Sequence, residues 1–127
     1  MSHGTFAAAI NCLDGRTQLP VIEWMKREHK VDYVDTITEP GPVKLLARSL
    51  DEAALGSIRR RLEISVTRHG STRVAIVAHA DCAGNPVDKE TQLHQLRLAA
   101  ATLLTWGLGL QLDLLWLGED FKVQKVG

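Results

Sequence analysis

Apolar and polar positions change period along this chain in a regular order. Phe6 to Asn11 is a short continuous apolar run, suited to a strand covered on both faces. The polar segment Leu13 to Thr17 follows it. Pro20 then stands where a helix can begin, and Val21 to Lys30 places apolar residues at Val21, Ile22, Trp24 and Met25 ahead of a charged end. Val31 to Ile37 alternates and is β-branched, which predicts a second strand that Pro40-Gly41-Pro42 stops. Ser49-Leu-Asp-Glu52 has the spacing of a capping box, with Ser49 as the cap. Beyond it Leu50, Ala53, Ala54, Ile58, Leu62 and Val66 recur at helical intervals as far as His69-Gly70. Arg73 to Ala78 carries no charge after its first residue and predicts a central strand. Asp88 to Trp106 reads as a helix, polar at first and then apolar on most sides, ended by Gly107 and Gly109. Leu110 to Leu117 predicts a fourth strand, and Glu119 to Gly127 a loop with a short final strand or tail.

Strands alternating with helices imply right-handed crossovers. The expected fold is therefore α/β: one domain over residues 1–127, with three layers. A mostly parallel central sheet of four to five strands, in the order 2-1-3-4, carries helices on both faces. In that order the chain reverses direction between strands one and three, which opens a crevice at their carboxyl ends. Cys12 ends strand one and His79 follows strand three, so both are delivered to that crevice.

Composition narrows the partners. Fifteen Lys and Arg balance fifteen Asp and Glu in 127 residues, which argues against nucleic acid, since phosphate binding demands a basic face. A net charge of zero does little to oppose self-association, so a homodimer or higher homo-oligomer is expected. The apolar region from Leu96 to Leu117 is interrupted by Arg97, Gln111 and Asp113, and reads as a buried helix followed by a buried strand rather than a membrane span. The N-terminus has no basic segment ahead of its short apolar run and does not read as a signal peptide. With only two cysteines, the expected compartment is the cytoplasm, where a metal or catalytic role gains weight over a disulfide.

His79-Ala-Asp-Cys82 offers an imidazole and a thiol three residues apart on a turn leaving a strand. Cys12 adds a second sulfur across the crevice, and Cys2His is a donor set compatible with tetrahedral zinc that keeps an open fourth position. Taken alone, two cysteines can equally be small buried hydrophobes and His79 a hydrogen-bonded core residue. The stretch Cys12-Leu-Asp14-Gly-Arg16 adds a reason to prefer the metal. If it is extended, a thiol, a carboxylate and a guanidinium share one face, and an Asp-Arg pair beside a metal keeps the carboxylate ionised as an acceptor for solvent. An exposed loop salt bridge is the alternative for that pair. His3, His29, His69 and His94 are available to carry a proton, but most of them are expected at the surface.

The segments C-L-D-G-R at 12–16 and H-A-D-C at 79–82, each after an apolar strand and in this order, resemble the C-x-D-x-R and H-x-x-C motifs of beta-class carbonic anhydrases. The resemblance implies a short, divergent member of that family. Cys12, His79 and Cys82 become zinc ligands, and Asp14 with Arg16 the dyad that orders catalytic solvent. The implied activity is reversible hydration of carbon dioxide to bicarbonate by zinc-bound hydroxide. The chain departs from the family in three places. Because the sequence starts almost at strand one, the N-terminal helical arm that members commonly wrap around a partner subunit is not expected, Ala83 intervenes before Gly84 where glycine usually follows the cysteine, and Thr36 to Pro40 replaces an Arg-Asn-containing stretch. Those departures are what a non-catalytic zinc-binding or regulatory domain would show, and a hydrolase of a related small linear substrate is a further alternative. A redox protein using Cys12 and Cys82 would leave His79 unexplained.

Overall fold

The computed structural model describes residues 4–127, so His3 lies outside the described residues. In chain order the elements are β1 (Phe6–Cys12), α1 (Gly15–His29), β2 (Tyr33–Glu39), α2 (Pro42–Arg48), α3 (Glu52–His69), β3 (Arg73–His79), α4 (Lys89–Leu104), β4 (Gln111–Leu117) and β5 (Val123–Lys125). They form one sheet in the order β2-β1-β3-β4-β5, parallel throughout except for β5, which pairs antiparallel with β4. This is the expected α/β arrangement, extended by one edge strand.

Period-two alternation sorts the central strands between two apolar layers. Ala8, Ile10, Val74, Ile76, Ala78, Leu114 and Trp116 pack with Leu46 of α2, Ile58 and Leu62 of α3, and Leu96, Ala99 and Leu103 of α4. Ala7, Ala9, Ala75, Val77, Leu115 and Leu117 face the other way, onto Val21, Trp24 and Met25 of α1. Helices thus cover both faces, and β1 and β3 are sealed between them, as their uninterrupted apolar runs require. Among the described residues no helix is long and apolar enough to cross a membrane.

Three local expectations give way to better-placed hydrogen-bond acceptors. Helix α1 begins at Gly15 rather than near Pro20, because the Asp14 carboxylate accepts from the Arg16 N–H at 2.9 Å and caps it. Pro20 then lies inside the helix and omits the ladder bond to the Arg16 carbonyl. Leu13 to Arg16 is consequently not an extended stretch. Ser49 does not cap α3 either. It ends α2 at φ 52°, its N–H donating to the Leu45 carbonyl, while Asp51 caps α3 by accepting from the Ala54 N–H at 3.0 Å. Helix α2, hidden in sequence behind Pro40-Gly41-Pro42, uses Pro42 at its first turn.

Asp113, fully buried on β4, gathers the edge elements. Its carboxylate takes His29 Nε2 at 2.6 Å, Arg73 Nη1 at 3.2 Å and Lys125 Nζ at 3.3 Å. It thereby joins the end of α1, the start of β3 and the final strand. Asp113, one of the residues that made Leu96 to Leu117 unsuitable for a membrane, is thus a buried anchor for His29, Arg73 and Lys125.

Candidate metal centre

The crevice forms where the reversed strand order predicts it. Cys12 is the last residue of β1 and His79 the last of β3, and β1 and β3 are neighbours. The loop after His79 brings Cys82 back beside them. The two sulfurs lie 3.8 Å apart, and the ligand atoms of Cys12, His79 and Cys82 all lie within 4.8 Å of one another, with the three residues buried. Two sulfurs held ~2.3 Å from one tetrahedral zinc ion stand about 3.8 Å apart, so the spacing fits that metal.

The imidazole supports the same fit. His79 Nδ1 lies 2.6 Å from the Ala80 carbonyl oxygen, to which it donates, and this leaves the Nε2 lone pair free. Nε2 is buried without a hydrogen-bond partner. A buried nitrogen without a partner is costly in a native fold unless it binds something.

The sulfurs point to a cation as well. Burial pushes the Cys12 thiol up, but the adjacent His79 imidazole and the backbone N–H groups of Gly41 and Asp14 outweigh it and bring the thiol down to about 7. Cys82 moves the other way, raised by burial and by the charge on Cys12, although the N–H groups of Gly84 and Asn85 are directed at its sulfur. Burial works against charging His79, yet Cys12, the Ala80 carbonyl and Asp14 raise it overall. One sulfur readily ionises and its neighbour resists. A divalent cation between them removes that conflict.

Two interlocked glycines build the N–H cradle around the sulfurs. A Cβ on Gly84 would stand 2.6 Å from the Pro40 carbonyl carbon, and one on Gly41, at φ 65°, would stand 2.8 Å from the Asn85 Cβ. The loop after β2 and the loop after β3 therefore meet backbone to backbone. Helix α4 fixes the second loop from behind with two buried amides: Gln92 Nε2 donates to the His79 carbonyl at 2.8 Å, and Gln95 Oε1 accepts from Asn85 Nδ2 at 2.7 Å. At Cys12, Asn11 Oδ1 accepts the backbone N–H and Gln18 Nε2 donates to the carbonyl. Gly84 was singled out from sequence, but the supporting amides Asn11, Gln18, Gln92 and Gln95 were not. Gln92 was nonetheless detectable, because it falls in helical phase with Leu96, Ala99 and Leu103 on the buried face of α4.

Asp14 and Arg16 stand beside the three-residue cluster and face each other. Arg16 Nη2 lies 2.7 Å from Asp14 Oδ2 and Nε lies 3.1 Å from Oδ1. They meet because Arg16 folds back from the first turn of α1 onto the capping carboxylate, not through strand alternation. The Arg16 hydrogen bond is the main cause holding the Asp14 carboxyl down at about 2, against an opposing push from burial. Asp14 is thus ionised throughout the neutral range. Because its folded-state pKa is depressed, the stability it contributes is present above about pH 4 and lost as pH falls through about 2. Arg16 also reaches the carboxylate and the carbonyl oxygen of exposed Asp81, at 3.3 and 3.2 Å. Of the other histidines, His29 and His69 pair with Asp113 and Asp35, at the opposite ends of the strands, and His94 is exposed on α4.

Among solved structures, the fold is similar to a carbonic anhydrase from Glaciozyma antarctica, with a TM-score of 0.58 and 16% identity over 95% of this chain and 81% of that one. It is also similar to the β-carbonic anhydrase CafA of the fungal pathogen Aspergillus fumigatus, with a TM-score of 0.54 and 18% identity over 98% of this chain and 76% of that one. No curated protein matches the chain in sequence. A family profile described as "Putative carbonic anhydrase" matches residues 2–127, and by that near-complete match the chain belongs to this carbonic anhydrase family.

Proposed function

We propose that this protein is a zinc lyase catalysing the reversible hydration of carbon dioxide to bicarbonate, with Cys12, His79 and Cys82 as the metal ligands. The observation that carries the reading is the buried, unpartnered Nε2 of His79 beside two sulfurs 3.8 Å apart. Zinc on three protein ligands keeps a fourth position open and lowers the pKa of a water placed there to about 7.

The chain's own residues supply the rest. Asp14, ionised at neutral pH and held in place by its pairing with Arg16, can only accept a hydrogen bond. Solvent at the site must therefore donate to Asp14, which turns a solvent lone pair toward the carbon of the substrate. Arg16 stays charged beside it and restrains the carboxylate in one orientation. Water and carbon dioxide give bicarbonate and one proton, and that proton passes to bulk solvent.

The deciding experiment is carbon dioxide hydration by protein of verified zinc content, compared with the chelated protein and with the chelated protein given zinc back. Hydration lost on chelation and regained with zinc is expected. Full zinc occupancy without hydration would sink the lyase and leave a zinc-binding role. Asp14→Asn tests the dyad separately, since asparagine can still cap α1 but is no longer an anionic acceptor. It is expected to keep its zinc and to lose about 10- to 100-fold in hydration rate, the usual cost of removing an outer partner of a metal site. An unchanged rate, measured by stopped flow, would exclude Asp14 from the reaction.

A further inference from the structure

The bend between β4 and β5 brings to the site a side chain outside both sequence motifs. Phe121 has φ 54°, a left-handed conformation unfavourable for a residue with a Cβ and kept only where the surroundings impose it. Two hydrogen bonds impose it here. The Phe121 N–H donates to the Gly118 carbonyl at 2.9 Å, and the Lys122 N–H to Asp120 Oδ1 at 3.0 Å. The phenyl ring then lies 4.5 Å from the Arg16 guanidinium carbon and 5.9 Å, centroid to centroid, from the His79 imidazole.

Arg16 needs such a restraint. Its side chain is half exposed, and it is shared between two carboxylates: Asp14, the capping residue, at 2.7 Å, and the exposed Asp81, at 3.3 Å. Hydrogen bonds along the edge of the guanidinium hold it in its plane but leave its faces open. An aromatic ring against one face attracts the cation through the ring quadrupole and blocks rotation out of that plane.

We propose that Phe121 is a positioning residue that holds the Arg16 guanidinium in the plane in which it bonds Asp14, so that the bend after β4 forms one wall of the site beside His79. The consequence for solvent orientation rests on the hydration reading above, whereas the positioning itself does not. Phe121 also packs against the apolar layer under α1, so its replacements must preserve volume. Phe121→Leu and Phe121→Met keep apolar bulk and lose the ring, and Phe121→Trp restores an aromatic face.

The test follows the Arg16 Nε–H resonance by NMR in the zinc-loaded protein, assigned with Arg16→Lys, and measures its exchange with water. Exchange is expected to quicken about 2- to 5-fold in the leucine and methionine variants, the factor that a part-exposed cation–π contact supplies, and to slow again in Phe121→Trp. In the hydration assay kcat should fall by a similar factor with KM unchanged. Equal exchange rates in the wild type and both non-aromatic variants would overturn the proposal. A wild type that does not hydrate carbon dioxide but shows the exchange contrast would overturn the lyase and support the positioning role.

Discussion

Cys82→Ala is expected to leave a folded protein that no longer retains zinc through dialysis. Its carbon dioxide hydration should fall by more than the ~100-fold that loss of an outer partner costs. Cys82 is buried and small, so alanine fits its space and far-UV circular dichroism should be unchanged. What remains is Cys12 and His79, two donors where a catalytic zinc site needs three. The thiolate contribution cannot be replaced from nearby, because Asp14 is already committed to Arg16. Zinc analysis and stopped-flow hydration on the same sample check the result. Zinc held at full stoichiometry by the variant would refute Cys82 as a ligand.

Gly84→Ala should be nearly as damaging, although it alters no donor side chain. The new methyl would stand 2.6 Å from the Pro40 carbonyl carbon and 2.8 Å from both its oxygen and its Cβ. Backbone at that distance cannot move aside as a side-chain tip can, so the two loops must part. Parting them withdraws the Gly84 N–H from the Cys82 sulfur and the Gly41 N–H from Cys12. Overpacking of this kind costs about 1–3 kcal/mol, and zinc affinity is expected to fall about 10- to 100-fold with the loss of outer support. Gly56→Ala provides the contrast. Gly56 lies in α3 with nothing within 4 Å of the added methyl, and the substitution should stabilise by about 0.5–1 kcal/mol. Thermal melts and competition with a chromophoric chelator measure both effects. Equal zinc affinity in Gly84→Ala and the wild type would show that the sulfurs do not depend on the loop contact.

The sequence was most informative where a signal repeats over several neighbouring residues. Phe6 to Asn11 and Arg73 to Ala78 fall on β1 and β3, because a strand sealed on both faces is apolar at nearly every position, and Leu110 to Leu117 falls on β4 despite Gln111 and Asp113. It was less informative where two short-range signals compete. Asp14 and Pro20 both mark helix starts, and the carboxylate prevailed because it supplies an acceptor, whereas proline only avoids wasting a donor. Ser49 and Asp51 compete in the same way, two residues apart.

What the chain determined by itself is the order and character of its elements and the donor types at 12, 79 and 82, because periodicity and side-chain chemistry are local properties. Those suffice for an α/β sheet and a candidate Cys2His site, and, with the motif resemblance, for the family. The approach of two sulfurs to 3.8 Å, the unpartnered His79 Nε2, and the contact of Gly84 with Pro40 join segments 40 to 70 residues apart. Phe121 against Arg16 is likewise a contact between distant segments. No local pattern encodes such contacts. They follow only once strand order and layer packing have fixed which chain segments become neighbours.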